Sequence, residues 1–243
     1  MPTRRADLAL VQAGLFKSRA KAAEAIEAGL VRADGKPVMK ASTPLDTEAR
    51  IEASAPYPWV SRGGLKLAAG LDLFGIDPSG LHCLDVGAST GGFTDVLLAR
   101  GAAHVVAVDV GHDQLHPRLK GDPRVTSREG RDARILTIDD IGRRYDLMAC
   151  DASFISLRLI LPPILALAAD AARAVLLVKP QFEAGRDRVG KGVVRDPAVH
   201  EEVCRQISAL VRDLGWEVIG VGASPVAGRD GNREFLLGAR RHA

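Results

Sequence analysis

The feature that most constrains the fold is the run from Leu84 to Gly92, in which an apolar stretch ends in a glycine turn and a helix-like segment follows. The order strand, tight turn, helix is typical of βαβ units, which build parallel sheets. Further apolar runs alternate with helical patterns down the chain, and near-continuous ones such as Val105–Val108 favour central strands covered on both faces. We therefore predict an α/β fold with a doubly wound, Rossmann-like sheet. Its candidate strands are residues 81–86, 104–110, 125–129, 146–151, 175–179, 217–221 and 234–239.

The glycine turn also restricts the ligand. Dinucleotide sites use G-x-G-x-x-G, in which the second glycine lets the backbone approach a pyrophosphate, but the residue two after Gly87 is Ser89. Asp85 would repel a pyrophosphate, whereas its carboxylate suits the ammonium of S-adenosylmethionine, which has no phosphate. The turn thus favours a methyl donor over a nicotinamide. Taken alone, it is equally compatible with a nucleoside cofactor and with plain βα structure.

The first quarter of the chain differs from the rest in charge. Residues 1–66 hold eleven Lys and Arg against seven Asp and Glu, which leaves 22 basic and 23 acidic residues beyond them. Ser18 can cap a helix that Gly29 would end, and Asp34-Gly35 predicts a hairpin between two short extended arms. A module this small buries little core, so a functional role is favoured over a purely structural one. The surplus of positive charge suits phosphates, although a solvated surface is the alternative.

Residues 4–50 resemble the small RNA-binding domain named for ribosomal protein S4. The resemblance depends on Arg4, Asp7, Leu8, Ser18, Arg19, Ala22, Ile26, Gly29, Val31, Gly35 and the lysines that follow. It implies that the module binds structured RNA, with a docking or structural role as the alternative. The basic residues we assign to RNA are Arg4, Arg5, Lys17, Arg19, Lys21 and Lys36.

Two prolines one residue apart, Pro56 and Pro58, predict a stiff linker over residues 53–60. The expected domains are thus residues 1–52 for RNA and 61–243 for the sheet. A helix is expected to open at Ser61 or Gly63.

Composition excludes several classes of protein. The chain has 243 residues, of which 47% are hydrophobic and 26% charged, as in soluble globular proteins. Its longest apolar stretch, residues 157–172, is interrupted by charges and prolines, so we expect no membrane span. The N-terminus lacks the apolar core of a signal peptide, which predicts a cytoplasmic protein. The cysteines and histidines have no metal-ligand spacing, so we expect buried thiols and no metal.

Polar residues at the predicted strand ends are the first candidates for chemistry, because ligands of such sheets bind at the carboxyl ends of the strands. Asp109 can accept hydrogen bonds from ribose hydroxyls, with helix capping as the alternative, and Asp132 can meet an adenine amino group. A lysine that ends an aliphatic strand needs a partner, so we expect an ion pair between Asp151 and Lys179. Lys66 and Glu234 can join that pair. A lysine near another cation suits a general base for a hydroxyl.

The whole chain resembles the TlyA family, whose members are often labelled haemolysins. The motifs that carry the resemblance are residues 59–67, 85–94, 109–111, 151–156, 178–183 and 231–235. The family joins an S4-type domain to an RrmJ/FtsJ-like class I methyltransferase domain and methylates ribose 2′-hydroxyls of ribosomal RNA. The resemblance therefore implies S-adenosyl-L-methionine as cofactor and ribosomal RNA, or assembled subunits, as partner.

The resemblance also assigns roles to residues. It places a catalytic Lys-Asp-Lys-Glu tetrad on Lys66, Asp151, Lys179 and Glu234. We expect Lys179 to orient and deprotonate the hydroxyl, Asp151 to hold the amine, Lys66 to stabilise the developing alkoxide and Glu234 to anchor the network. The expected cofactor residues are Asp85, Gly87, Ala88, Ser89, Thr90, Gly91, Gly92, Phe93, Asp109 and Asp132.

Two departures from the family pattern affect these expectations. Some members have Arg two residues before the linker tryptophan, where this chain has Tyr57, which puts linker-dependent cofactor coupling in doubt. The chain ends a few residues after its last predicted strand, and in the family shorter members act on the large subunit only. We therefore expect a cytidine in 23S rRNA and leave 16S open. The alternatives are an NAD-dependent oxidoreductase, a membrane-active haemolysin and an RNA-binding protein with an inactive catalytic domain.

Overall fold

A computed structural model describes residues 2–190 and 192–242. The chain divides into two compact units, Met1–Pro58 and Trp59–Ala243, and the division falls inside the predicted linker.

The first unit is a small α+β module. Ser18 caps its second helix by accepting a hydrogen bond from the Lys21 amide, and the predicted Asp34-Gly35 turn joins two antiparallel strands. The structure adds a third strand to that hairpin and a separate two-stranded pair, neither of which the sequence predicted. The elements are β1 (Thr3–Arg5), α1 (Ala6–Gln12), α2 (Arg19–Glu27), β2 (Val31–Ala33), β3 (Lys36–Pro37), β4 (Pro44–Asp46) and β5 (Ile51–Ala53).

The second unit is built on a seven-stranded sheet whose helices cover both faces. Its strands are β6 (His82–Val86), β7 (His104–Asp109), β8 (Val125–Glu129), β9 (Tyr145–Cys150), β10 (Ala168–Val178), β11 (Trp216–Ala223) and β12 (Phe235–Arg241). Its α-helices are α3 (Gly63–Phe74), α4 (Gly92–Ala99), α5 (Pro117–Lys120), α6 (Ile138–Ile141), α7 (Leu157–Leu165), α8 (Pro180–Glu183) and α9 (Pro197–Asp213).

The strand order is β11-β12-β10-β9-β6-β7-β8. Strands β10, β9, β6, β7 and β8 are parallel, and β12 is antiparallel to both of its neighbours. The chain reverses its direction across the sheet at β6, and the β6 and β9 ends at this switch point face the same edge. The predicted doubly wound sheet is therefore confirmed.

Two apolar layers sandwich the sheet. Alternate residues of β6 and β7 belong to different clusters: Leu84 and Val106 pack in one, Cys83 and Val105 in the other. Burial on both faces explains why the sequences of these strands are continuous apolar runs.

The predicted strands are all present, with bounds that differ by a few residues. Strand β10 begins at Ala168, earlier than predicted, and contains an irregularity between Ala168 and Arg173. Asp151, Lys179 and Glu234 each lie one residue outside a strand rather than within it. Strand ends fray, and the side chains here turn from the sheet toward other elements. In residues 2–190 and 192–242, no helix has both the length and the hydrophobicity needed to cross a bilayer.

Candidate active site

A cleft of about 550 Å³ lies at the carboxyl edge of the sheet. It is lined by the segments that follow β6, β7, β8 and β9. Of the predicted cofactor residues, those that line it are Gly87, Ser89, Asp109 and Asp132.

Asp109 organises the loops on both sides of the cleft. Its Oδ2 accepts a hydrogen bond from the Ser89 amide at 2.7 Å, and its Oδ1 accepts one from the Gly111 amide at 2.7 Å. Asp109 is therefore not a helix cap but a tie between the glycine loop and the segment after β7. Gly87 has a φ of 82°, and a Cβ there would lie 2.9 Å from the main-chain oxygen of Asp151. Only glycine allows these two loops to approach so closely.

Asp85 lies beneath the loop rather than on the cleft wall. Its side chain has no exposed surface, and Thr94 Oγ1 donates to its Oδ2 at 2.6 Å. Its Oδ1 is buried and has no hydrogen-bond partner within the part of the chain that the structure describes. Burial raises the pKa of Asp85 to about 7, despite the hydrogen bonds from Thr94. This carboxyl has acceptor capacity that the protein itself leaves unused.

Asp132 lines the cleft but is engaged by its own neighbour. It accepts hydrogen bonds from the Arg134 amide at 2.9 Å and from Nη2 of the same residue at 2.5 Å. The Arg134 side chain holds the pKa of Asp132 below its usual range. The predicted contact with an adenine amino group would have to share this carboxylate with Arg134.

The remaining predicted cofactor residues shape the loop from behind. Gly91, with a φ of 93°, caps α4, which begins at Gly92. Phe93 and Ala88 are buried in the apolar layer, and the Thr90 carbonyl accepts from the His116 amide at 3.2 Å. They support the cleft wall without lining it.

The predicted ion pair between Asp151 and Lys179 is present. Lys179, 6% exposed, directly follows β10, and its Nζ lies 2.6 Å from Asp151 Oδ1. Asp151 Oδ1 has no hydrogen-bond partner among the described residues, so this contact is an ion pair. The same Nζ donates to Ser153 Oγ at 2.7 Å and to the Asp151 main-chain oxygen at 3.3 Å. The segment after β9 thus encloses this amine.

Lys66 and Glu234 form a second buried ion pair. Lys66 Nζ, on α3, donates to Glu234 Oε2 at 2.6 Å, and the Glu234 side chain is 3% exposed. The other carboxylate oxygen lies against Gly228, where an added Cβ would overlap it.

Sheet register and helix α3 bring the two pairs to the same end of the sheet. Val178 pairs with Phe235 in the β10–β12 ladder, so Lys179 and Glu234 are the next residues on adjacent strands. The first residue of α3, Gly63, would place a Cβ 3.9 Å from Asp151 Oδ2. The two ion pairs therefore lie at the same end of the sheet, and of their four residues Asp151 lines the cleft.

Two residues of this site carried no predicted role. Ser153 contacts Lys179, and Phe154 is 81% exposed, with a φ of 62° that is uncommon for an aromatic residue. The Phe154 ring lies 5.3 Å from the Phe182 ring and lines the cleft. A phenylalanine in an apolar motif ordinarily predicts burial, so only the backbone conformation reveals its exposure.

The predicted RNA-binding residues of the first unit differ in how they are engaged. Arg5 and Arg19 both donate to Asp7, and Arg5 especially lowers the pKa of that carboxyl to about 2. Lys21 contacts the Tyr57 hydroxyl and lies above its ring. Arg4 donates to the Gln12 side chain at 2.5 Å, whereas Lys17 and Lys36 are exposed.

Comparison with known proteins agrees with this geometry. Residues 59–241 match the FtsJ-like methyltransferase family, and residues 4–51 match the S4 domain. A Mycobacterium tuberculosis protein named 16S/23S rRNA (cytidine-2′-O)-methyltransferase TlyA is 49% identical over 239 residues, 97% of this chain and 89% of the relative.

Two further relatives carry a different name. Hemolysin A of Brachyspira hyodysenteriae is 39% identical over 226 residues, 92% of this chain and 94% of that protein. A solved structure from Streptococcus thermophilus, whose assignment as a hemolysin is provisional, aligns with a TM-score of 0.78 at 40% identity and covers 100% of this chain and 90% of its own. The resemblance found in the sequence is confirmed: this chain belongs to the TlyA family of FtsJ-like methyltransferases that carry an S4 domain.

Proposed function

We propose that this protein transfers the methyl group of S-adenosylmethionine to the ribose 2′-hydroxyl of a cytidine in ribosomal RNA. The relative from M. tuberculosis is named for that reaction. The observation that carries the proposal is the pairing of Lys179 with Asp151 and of Lys66 with Glu234 at one end of the sheet. Buried lysines that are held by carboxylates suit proton removal from a hydroxyl better than hydride transfer.

The residues of the cleft fit S-adenosylmethionine. Asp109 lines the cleft, and its half-buried carboxylate can accept hydrogen bonds from ribose hydroxyls. Beneath the loop, the buried Oδ1 of Asp85 has no partner among the described residues. Val110 and Ile155 offer apolar surface for a purine. When bound, the cofactor supplies an electrophilic methyl carbon on a cationic sulfur. The protein must bring a ribose hydroxyl into line with that carbon and remove its proton.

The tetrad supplies these acceptor functions in our proposal. Lys179 orients the hydroxyl and takes its proton, and Asp151 fixes the position of the Lys179 amine. Lys66 adds positive charge near the developing alkoxide. A cation that is already held in place stabilises this alkoxide more than solvent water would. Glu234 keeps Lys66 in place and offsets its charge before the substrate arrives.

Phe154 and the S4 domain serve the RNA. An exposed ring on the cleft wall gives a stacking face for an unstacked base, a contact worth about 1–3 kcal/mol. The basic side chains of the first unit can bind the phosphate backbone, which favours affinity over sequence selectivity.

The test uses unmodified 30S and 50S subunits with the purified protein and methyl-labelled S-adenosylmethionine. A methylated 2′-oxygen cannot attack its phosphate, so modified positions resist alkaline cleavage. We expect label at a ribose of a cytidine, no label with the K179M variant, and thermal stabilisation by S-adenosylmethionine but not by NAD. Label found only on a base, or stabilisation by NAD instead, would overturn the proposal. The subunit that accepts label decides between 16S and 23S.

A further inference from the structure

The hydrogen bonds around Lys179 Nζ reveal a role for a residue outside the tetrad. An ammonium has three N–H donors, and Nζ meets three oxygens: Asp151 Oδ1 at 2.6 Å, Ser153 Oγ at 2.7 Å and the Asp151 carbonyl at 3.3 Å. Two of these contacts are hydrogen bonds that Nζ donates, and the third is its ion pair with Asp151. The neighbours of Nζ are thus all oxygens, and Ser153 Oγ accepts the shorter of the two hydrogen bonds.

The three oxygens differ in their access to the cleft. Asp151 Oδ1 is buried, and the Asp151 carbonyl faces Gly87, where an added Cβ would lie 2.9 Å away. Ser153 is exposed and lines the cleft, whereas Lys179 itself is 6% exposed. Asp151 also lines the cleft but is half-buried, so Ser153 Oγ is the neighbour of Nζ that belongs to an exposed residue of the cleft wall.

We propose that Ser153 is a proton-relay residue between the acceptor hydroxyl and Lys179. The inference rests on the proposed methyl transfer to a hydroxyl. The relay needs the neutral amine of Lys179. That amine has two N–H donors for the two Asp151 oxygens and one lone pair that can accept from the Ser153 hydroxyl. The same three neighbours thus satisfy both protonation states of the nitrogen, and only the direction of the Ser153 hydrogen bond reverses.

The acceptor O–H bond breaks as that oxygen bonds to the methyl carbon, and the methyl–sulfur electron pair returns to sulfur and neutralises its charge. Ser153 Oγ takes the released proton and passes its own proton to Lys179 Nζ, which becomes an ammonium. Two protons move for each methyl group, and the serine leaves the step unchanged.

The backbone holds Ser153 in place for this role. Gly87 of the cofactor loop contacts the segment on one side of it, where a Cβ would lie 3.0 Å from Ala152 Cα, and Phe154 follows with its φ of 62°. Segments that keep such conformations at a reaction site are held by their surroundings. Because the cofactor loop braces the relay segment, the hydroxyl stays at a fixed place between donor and base.

Two variants of nearly equal shape test the relay. S153T keeps the hydroxyl, and S153V replaces it with a methyl group, and an exposed position has room for either side chain. We expect single-turnover methyl transfer to rRNA to fall on the order of 10²-fold in S153V and less than about threefold in S153T. S-adenosylmethionine affinity and melting temperature should be equal in both variants. S153A, which adds no bulk, should be at least about tenfold slower than the wild type.

Rates measured in mixtures of H₂O and D₂O separate a relay from a positioning role. Two protons in flight predict a curved dependence on the deuterium fraction in the wild type and in S153T. Equal rates for S153V and S153T would overturn the proposal, and so would a linear dependence in the wild type, which would reduce Ser153 to positioning Lys179. Neither result would affect the proposed function, which fails only if the wild type forms no 2′-O-methyl ribose.

Discussion

The two sides of the cleft satisfy their charged groups in different ways. On the donor side, residues 85–94 with Asp109, the carboxylates are held by main-chain amides and by the nearby Thr94 hydroxyl. On the acceptor side, which comprises Lys66, Asp151, Lys179 and Glu234, side chains hold one another across long stretches of sequence. The donor side is thus held mainly by main-chain hydrogen bonds, whereas the acceptor side is held by ion pairs between side chains. Donor variants should therefore change cofactor affinity, and acceptor variants should change the rate.

The largest effect is expected at Lys179. K179M removes the amine but keeps the length of the chain, and we expect the single-turnover rate to fall by about 10³-fold or more, with S-adenosylmethionine affinity unchanged by calorimetry. K179R keeps a positive charge but cannot act as a base at neutral pH, so it should be equally slow. An active K179R would show that charge alone is needed, and a loss of cofactor affinity in K179M would break the division between the two sides.

A pH effect on stability is expected on the donor side at Asp85. Burial raises its pKa to about 7 in the folded protein, whereas an aspartate in the unfolded chain titrates near 4. Between these values the folded state keeps a proton that the unfolded state releases, so the free energy of unfolding falls as pH rises. Between pH 5 and pH 8 this one group should lower the free energy of unfolding by about 3 kcal/mol.

The variant D85N isolates this contribution, because its amide does not titrate. Urea denaturation of wild type and D85N at pH 5 and pH 8 gives the difference directly. An equal pH dependence in the two proteins would show that Asp85 is ionised in the fold at both pH values. Saturating S-adenosylmethionine should reduce the loss at pH 8 if its ammonium binds this carboxyl.

A smaller effect is expected at Asp109, where the variant D109N keeps the shape of the side chain but removes its charge and one hydrogen-bond acceptor. D109N leaves one oxygen and one NH₂ facing two main-chain N–H donors, so one donor loses its partner at a cost of about 1–3 kcal/mol. We expect roughly 10- to 100-fold weaker cofactor binding by calorimetry, with a nearly unchanged rate at saturation. D132N is the matched control in the same cleft, because among the described residues its carboxylate accepts hydrogen bonds from Arg134 only, and it should weaken binding less.

The same difference explains what the sequence could predict. The donor loop is local: Gly87, Ser89 and Asp109 were identified from a strand–turn–helix pattern and a strand end, and all line the cleft. The pairing of Lys66 with Glu234, 168 residues apart, follows from strand order, which no local pattern contains. The charges alone suggest that Lys66 and Glu234 join the pair of Asp151 and Lys179, and only the family resemblance assigns them a catalytic role.

Other features could not be predicted because they depend on tertiary contacts. Asp85 was expected to meet the ligand but lies fully buried, since the face of β6 on which it lies is covered by α4 and its Thr94. The exposure of Phe154 depends on one positive φ, and the hydrogen bond of Ser153 depends on where Lys179 ends β10. Apolar periodicity carries none of this information.

The smallest effect is expected from adding one carbon behind the acceptor side. In G228A the new Cβ would overlap Glu234 Oε1, so the carboxylate must shift, which disturbs the 2.6 Å hydrogen bond that Lys66 donates to its other oxygen. We expect a loss of about 1 kcal/mol, or roughly fivefold in rate, without a change in cofactor affinity. G190A is the control, since no neighbouring atom of the described residues lies within 4 Å of its added Cβ. If G228A instead weakened cofactor binding and left the rate intact, Glu234 would serve the shape of the donor side, and the division of labour across the cleft would be wrong.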